Sequence, residues 1–148
     1  MAIQHAEVLS RFIAWIIDII LISIISNIVF LFIRPIEDFW TLPFSYINPP
    51  YWWITNSIQF AIGFLYYWLL ESFNNGQTLG KMALKLRTVN EDTLQVASLK
   101  SYALNNVFKG SVLLIVDLLI GFFTSYDNDK RKIRIMQDVS KTVVIKAE

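Results

Sequence analysis

Three long apolar stretches organise the chain, and each meets charge where charge is expensive. Phe12 to Ile33 holds 22 residues, ~33 Å as a helix at ~1.5 Å per residue, enough to cross a hydrocarbon core of ~30 Å. It carries Asp18 inside and Arg11 at its edge, and no Ala-x-Ala cleavage signal follows, so it reads as an uncleaved membrane helix. Trp52 to Leu70 is a second span of 19 residues, closed by Glu71; Tyr102 to Thr124 is a third of 23, interrupted by Lys109 and Asp117.

The connecting segments are polar and punctuated. All four prolines (Pro35, Pro43, Pro49 and Pro50) lie between the first two spans and predict a loop. Trp40, Phe44, Tyr46, Tyr51, Trp52 and Trp53 there suit the wet edge of a bilayer. In "GQTLGK", residues 76–81, a phosphate-binding loop is excluded: the glycines are one residue too close, and Met82 stands where a magnesium-binding hydroxyl belongs. Thr78 instead caps a short amphipathic helix, with Leu79, Met82, Ala83 and Leu86 as its apolar side and Lys81 and Lys85 toward headgroups. "LKLRTV" and "TLQV" flank the turn-like "NED" and predict a small hairpin, and "KTVVIK" near the end predicts a strand. The pattern as a whole predicts an all-α membrane protein. It is one domain over residues 1–148, with two or three transmembrane helices (about 12–33, 52–70 and 102–124), a short cytoplasmic amphipathic helix and a small β-hairpin.

Composition supports the membrane reading. The chain is 55% hydrophobic and only 17% charged, with a mean hydropathy of +0.47, more apolar surface than a soluble domain of this size can bury. A net charge of +1 with scattered basic residues gives no nucleic-acid footprint. There is no cysteine and one histidine, His5, which removes disulfides, thiol catalysis and the usual zinc constellations. No catalytic residues, metal ligands or cofactors are expected, and the chain does not read as an enzyme.

Lysine and arginine favour the cytoplasmic side of a membrane. Arg11 before the first span and Lys81, Lys85, Arg87 and Lys100 in the 71–101 segment place the N-terminus and that segment inside, in a multi-pass protein of the cell membrane. The tail carries Lys130, Arg131, Lys132, Arg134, Lys141 and Lys146 and also belongs inside, which a simple third crossing forbids. A re-entrant or interfacial third stretch, bent near Gly110 and Ser111, would resolve the conflict, whereas 23 apolar residues ordinarily just cross. Pairing of "TVVI" with "LKLRTV" would require the same sidedness.

The buried charges are the candidate chemistry. Arg11 and Asp18 lie seven apart, nearly two helical turns, and share a face. Asp18 sits well inside the hydrocarbon, where a charge costs at least ~2.5–3.5 kcal/mol, so it must be protonated, paired or wet. Asn106, Gly110, Leu113, Asp117 and Gly121 step by four, three, four and four and would share one face of a continuous helix. Should Asp18 and Asp117 approach, they would share a proton or cation. Asn56, Gln59 and Gly63 share a face suited to helix–helix contact in lipid.

"RFIAWIIDII", "GQTLGKMALKLRTV" and "QDVSKTVVI", in this order, resemble the RDD family of small membrane proteins, named for one arginine and two aspartates. The resemblance matches Arg11 and Asp18 to the family's first two positions and implies Asp138 as the second aspartate. Asn105, Asn106 and Lys109 stand where members often have an arginine, and Gln137 where they often have histidine. Transport, with cation/proton exchange in some members, is what the resemblance implies. In that reading Asp18, Asp117 and Arg11 carry a sodium ion or proton. Asp138, Asn106, Lys81, Asn56 and Gln59 are structural or gating, with Asp138 placed to pair with Arg11 or Lys81. Two or three helices enclose no pathway, so transport calls for a homo-oligomer in the lipid bilayer. The alternative is a membrane scaffold or accessory subunit whose intramembrane charges hold helices together.

Overall fold

The computed structural model describes residues 5–41, 52–109, 111, 113–124 and 134–147. The aromatic belt expected at Trp40, Phe44, Tyr46, Tyr51 and Trp52, like Gly110 and the basic run Lys130 to Lys132, lies outside the residues or side chains described.

Helix α1 runs Val8–Thr41. Its portion Val8–Ile33, with a mean hydropathy of 2.7, is the one stretch among the described residues long and apolar enough to cross a membrane. Two stripes at four-residue spacing divide it. Ala14, Asp18, Ile22, Ser26 and Phe30 are buried, while Ile16, Ile20, Ile24 and Ile28 are exposed, as side chains one turn apart on a helix share a face. The helix does not stop at Pro35, correcting the expected loop start. Proline costs one backbone hydrogen bond and introduces a ring clash, a cost that membrane helices commonly tolerate.

Helix α2, Trp52–Phe73, covers the second predicted span. Helix α3, Leu79–Ala83, is capped by Thr78, whose side chain accepts from the Lys81 N–H. Its polarity departs in part from the expectation: Leu79 and Met82 are exposed and Lys81 is buried, so that lysine points inward rather than toward headgroups, whereas Lys85 is exposed and Leu86 buried as expected. A buried acid, described below, supplies the reason.

Strand β1, Leu86–Asn90, pairs antiparallel with β2, Thr142–Lys146, in the register Leu86↔Lys146 to Asn90↔Thr142. The local hairpin with "TLQV" does not form. Asn90 Oδ1 accepts from the amides of Asp92 (2.9 Å) and Thr93 (3.1 Å), an Asx turn, and the chain then leads away. Burial decides between the two partners: Val143, Val144 and Ile145 of β2 are almost wholly buried, whereas Val96 is half exposed. The N-terminal segment joins the same sheet, with the Ala6 amide donating to Val144 O at 3.0 Å and His5 bridging Ile145. Ala6, Ala14, Leu86 and Val144 form one small core there, and Val89, Val143 and Ile145 a second.

The third apolar stretch is two helices: α4, Leu99–Asn106, and α5, Leu113–Thr124. The expected common face from Asn106 to Gly121 therefore does not exist as one helical face. The interruption does fall where a bend was expected. At 12 residues, α5 spans only ~18 Å, short of a ~30 Å core. Helix α6, Ile135–Val139, leads into β2. Because β1 and β2 are partners, the chain between them starts and ends on one side of any membrane, and the N-terminus lies on that side as well.

The sequence has no cysteine, so single replacements report sidedness cleanly. Asp92→Cys and Lys146→Cys are expected to react with a membrane-impermeant maleimide from the same side in oriented vesicles; labelling from opposite sides would contradict the β1–β2 pairing.

Candidate functional site: a buried charge network

Asp18 lies on the buried stripe of α1, opposite the start of α3, and is 1% exposed. Its Oδ1 accepts from Tyr66 Oη and from the Gly80 amide, both at 2.8 Å, and its Oδ2 accepts from Thr78 Oγ1 at 2.6 Å. These contacts explain the spacing in "GQTLGK". Thr78 caps α3 and donates to Asp18. Gly80 lies so close to α1 that a Cβ there would meet Ala14 O at 2.1 Å. Gly76 has a φ of +82°, and its Cβ would lie 2.0 Å from Thr88 O, so both backbone conformation and space require glycine.

Lys81 completes the motif by reaching Glu71, the acid that closes α2. Glu71 is fully buried. Its Oε1 accepts from Lys81 Nζ, from Lys109 Nζ at 2.8 Å and, weakly, from Thr88 Oγ1 at 3.4 Å. Its Oε2 accepts from Asn106 Nδ2 at 2.8 Å and, at the long limit of 3.4 Å, from Asn105 Nδ2. Lys109 also stands over the Tyr67 ring, 5.1 Å from its centroid. Two lysines on one acid satisfy its desolvated charge and leave the pair with surplus positive charge.

Asn105 carries the network onward. Its Oδ1 accepts from Arg134 Nη2 at 2.6 Å, and its backbone carbonyl from Arg134 Nη1 at 3.2 Å. Arg134 Nη1 also donates to Asp117 Oδ2 at 3.3 Å, while Asp117 Oδ1 accepts from the Met136 amide at 2.9 Å. Burial pushes the Arg134 guanidinium below its ordinary pKa, and Asp117 and then Glu71 pull it back up. Lys81, Lys109, Glu71, Asn105, Arg134 and Asp117 thus form one connected chain of charges across α2, α3, α4, α5 and the entry to α6.

The sequence-predicted residues are distributed as follows. Asp18 and Asp117 serve separate hydrogen-bond sets, Asp18 on α3 and Asp117 on Arg134 and α6, with no shared donor among the described residues. Asn106 and Lys81 both join Glu71. Arg11 is buried and lines a cavity with Asp18. Asn56 and Gln59 line a second cavity, of about 590 Å³, between α1, α2 and α5. Asp138 lies on the exposed side of α6, and Lys81 is engaged by Glu71 and Thr88 rather than by Asp138. Glu71 and Arg134 were not singled out from sequence. An acid at the end of an apolar run reads as a boundary, and Arg134 reads as one of a basic series. The available signal was Asn105, Asn106 and Lys109, spaced to present amides and an ammonium from one side of a helix.

A long apolar helix whose buried stripe carries Asp18, tied to a polar cap by acid–donor contacts, suits a membrane protein. The RDD family model matches residues 5–139, and the chain belongs to that family. No curated protein and no solved structure matches it.

Asp18→Ala leaves three donors facing an empty site. At ~1–3 kcal/mol for an unsatisfied buried group, a loss of about 3 kcal/mol or more is expected, read as a lower melting temperature in detergent. Glu71→Gln strips two buried lysines of their counter-charge and is expected to cost about 3–5 kcal/mol by the same measurement, with Lys109→Gln in the same chain restoring part of the loss.

Proposed function

We propose that this RDD-family protein is a non-catalytic membrane scaffold or accessory module whose intramembrane and juxtamembrane charges are structural. One observation carries the reading: all six carboxylate oxygens of Asp18, Glu71 and Asp117 already accept hydrogen bonds from the chain itself. A sodium ion needs several oxygens turned toward it. Here the acids' oxygens are occupied by hydroxyl and amide donors, and the two ammonium groups and the guanidinium repel a cation. Exchange of sodium for protons at Asp18 or Asp117 would first require these contacts to break.

In the same proposal the protein is multi-pass, with α1 and α2 as an outward and returning pair. The N-terminus, the 71–101 segment and the β1–β2 sheet lie in the cytoplasm, the side that their lysines and arginines favour. The exposed isoleucine stripe of α1 then faces lipid, a second copy of the chain or a partner's helix.

The transport reading inherited from the family keeps one observation of its own. The two cavities share Trp15, Lys109, Leu114 and Leu118 and so adjoin at the Glu71–Lys109 pair, as two half-pathways meeting at a gate would.

Purified protein separates the two readings. The scaffold reading expects no change in melting temperature with sodium or lithium, and no sodium-driven pH change in proteoliposomes. A sodium-dependent stabilisation, since a ligand bound only by the folded state raises its stability, together with pH changes abolished in Asp18→Asn, would overturn it in favour of exchange.

A further inference from the structure

The cavity beside Asp18 has a volume of about 260 Å³ and is faced by four cationic side chains: Arg11, Lys81, Lys109 and Arg134. Among the described residues its one acidic lining residue is Asp18, whose oxygens are taken by Tyr66, Thr78 and Gly80. Glu71 holds Lys81 and Lys109, and Asp117 holds Arg134.

A second observation is independent of charge. The Tyr67 hydroxyl and the Trp15 indole N–H are buried without hydrogen-bond partners, and both residues line this cavity. Tyr67 is 1% exposed. The indole can only donate, and the phenol donates readily. A buried donor left unmet costs free energy, so native sites seldom leave one without a purpose. What the cavity lacks is therefore an acceptor-rich anion.

The remaining wall is apolar, formed by Phe12, Trp15, Leu114 and Leu118. Phe12 is 52% exposed and Leu118 36%, on helices whose outer faces are aliphatic. The volume falls just under the ~300 Å³ at which pockets begin to enclose whole drug-sized ligands. It admits a headgroup and leaves long chains outside, where an apolar rim receives them.

We propose that this cavity seats the phosphate headgroup of an anionic membrane phospholipid, with its acyl chains lying over Phe12 and Leu118. The phosphate oxygens accept from Tyr67 and Trp15, beside the cationic side chains of Arg11, Lys81 and Lys109 that line the cavity, as basic pockets between membrane helices do for acidic lipids. The lipid becomes a bound structural component joining α1, α2 and α5.

The test uses full-length protein delipidated in neutral detergent and titrated with short-chain phosphatidylglycerol, phosphatidylcholine or inorganic phosphate. Native mass spectrometry counts retained lipid, and melting temperature reports its effect. One phosphatidylglycerol per chain and a saturable rise in melting temperature are expected, with neither effect from phosphatidylcholine or phosphate. Arg11→Gln is expected to weaken the apparent affinity by about fivefold or more, the loss of one cation at a lipid phosphate. Leu118→Trp keeps every cation but narrows the cavity, and is expected to abolish retention without lowering the melting temperature in detergent alone. The two variants are read separately, so one that does not fold leaves the other to decide. Equal effects of the two lipids, a full shift from phosphate alone, or wild-type retention in the folded variants would each overturn the proposal.

Discussion

A carboxylate removed from water must be surrounded by donors, and the arrangement of this protein follows from meeting that demand. Asp18 takes its donors from a hydroxyl, a phenol and a backbone amide, which fixes α3 against α1. The closeness of that approach then requires glycine at position 80. Fixing α3 in turn aims Lys81 at Glu71, and so locks α2. One buried acid thus sets the orientation of the element that neutralises the next. Short elements of five residues, α3 and α6, have little stability of their own; here their ends and side chains are held by acids on long helices.

How far this was readable depended on whether the partner was local. The first membrane helix, the shared face of Arg11 and Asp18, the Thr78 cap and the strand at 142–146 were all legible, because each rests on periodicity or a neighbour a few residues away. The break of the third stretch into α4 and α5 was legible from a conflict of charges rather than from its hydropathy. The strand pairing was half legible: "TVVI" was matched to "LKLRTV", yet the local hairpin was also drawn, and burial of the valines decided between them. Glu71 and Arg134 were hidden because their meaning lies in residues dozens of positions away. The lysine of "GQTLGK" was misdirected for the same reason: a cation on a short helix beside a membrane reads as headgroup-facing until a buried acid is placed behind it.

The family's characteristic charges take on distinct roles in this geometry. Asp18 is a receptor for the start of a helix rather than half of an ion pair. Asn105, Asn106 and Lys109 share the work around the second acid: the amides meet Glu71 and Arg134, and the lysine supplies charge. Between them the three side chains keep both oxygens of the acid satisfied.

The two-stranded sheet also dictates an order of events during synthesis. Even its nearest pairing, Asn90 with Thr142, joins residues 52 positions apart. At ribosomal rates of about 5–20 residues per second, roughly 3–10 s separate the emergence of the two strands. Through that interval α1, α2 and α3 have already been made, but β1 has an open edge, Glu71 waits for Lys109, and Asp117 waits for Arg134. The nascent chain therefore passes through a stage in which an acid already in place lacks its later cations and a strand has no mate, the stage at which a membrane chaperone or quality-control protease would recognise it.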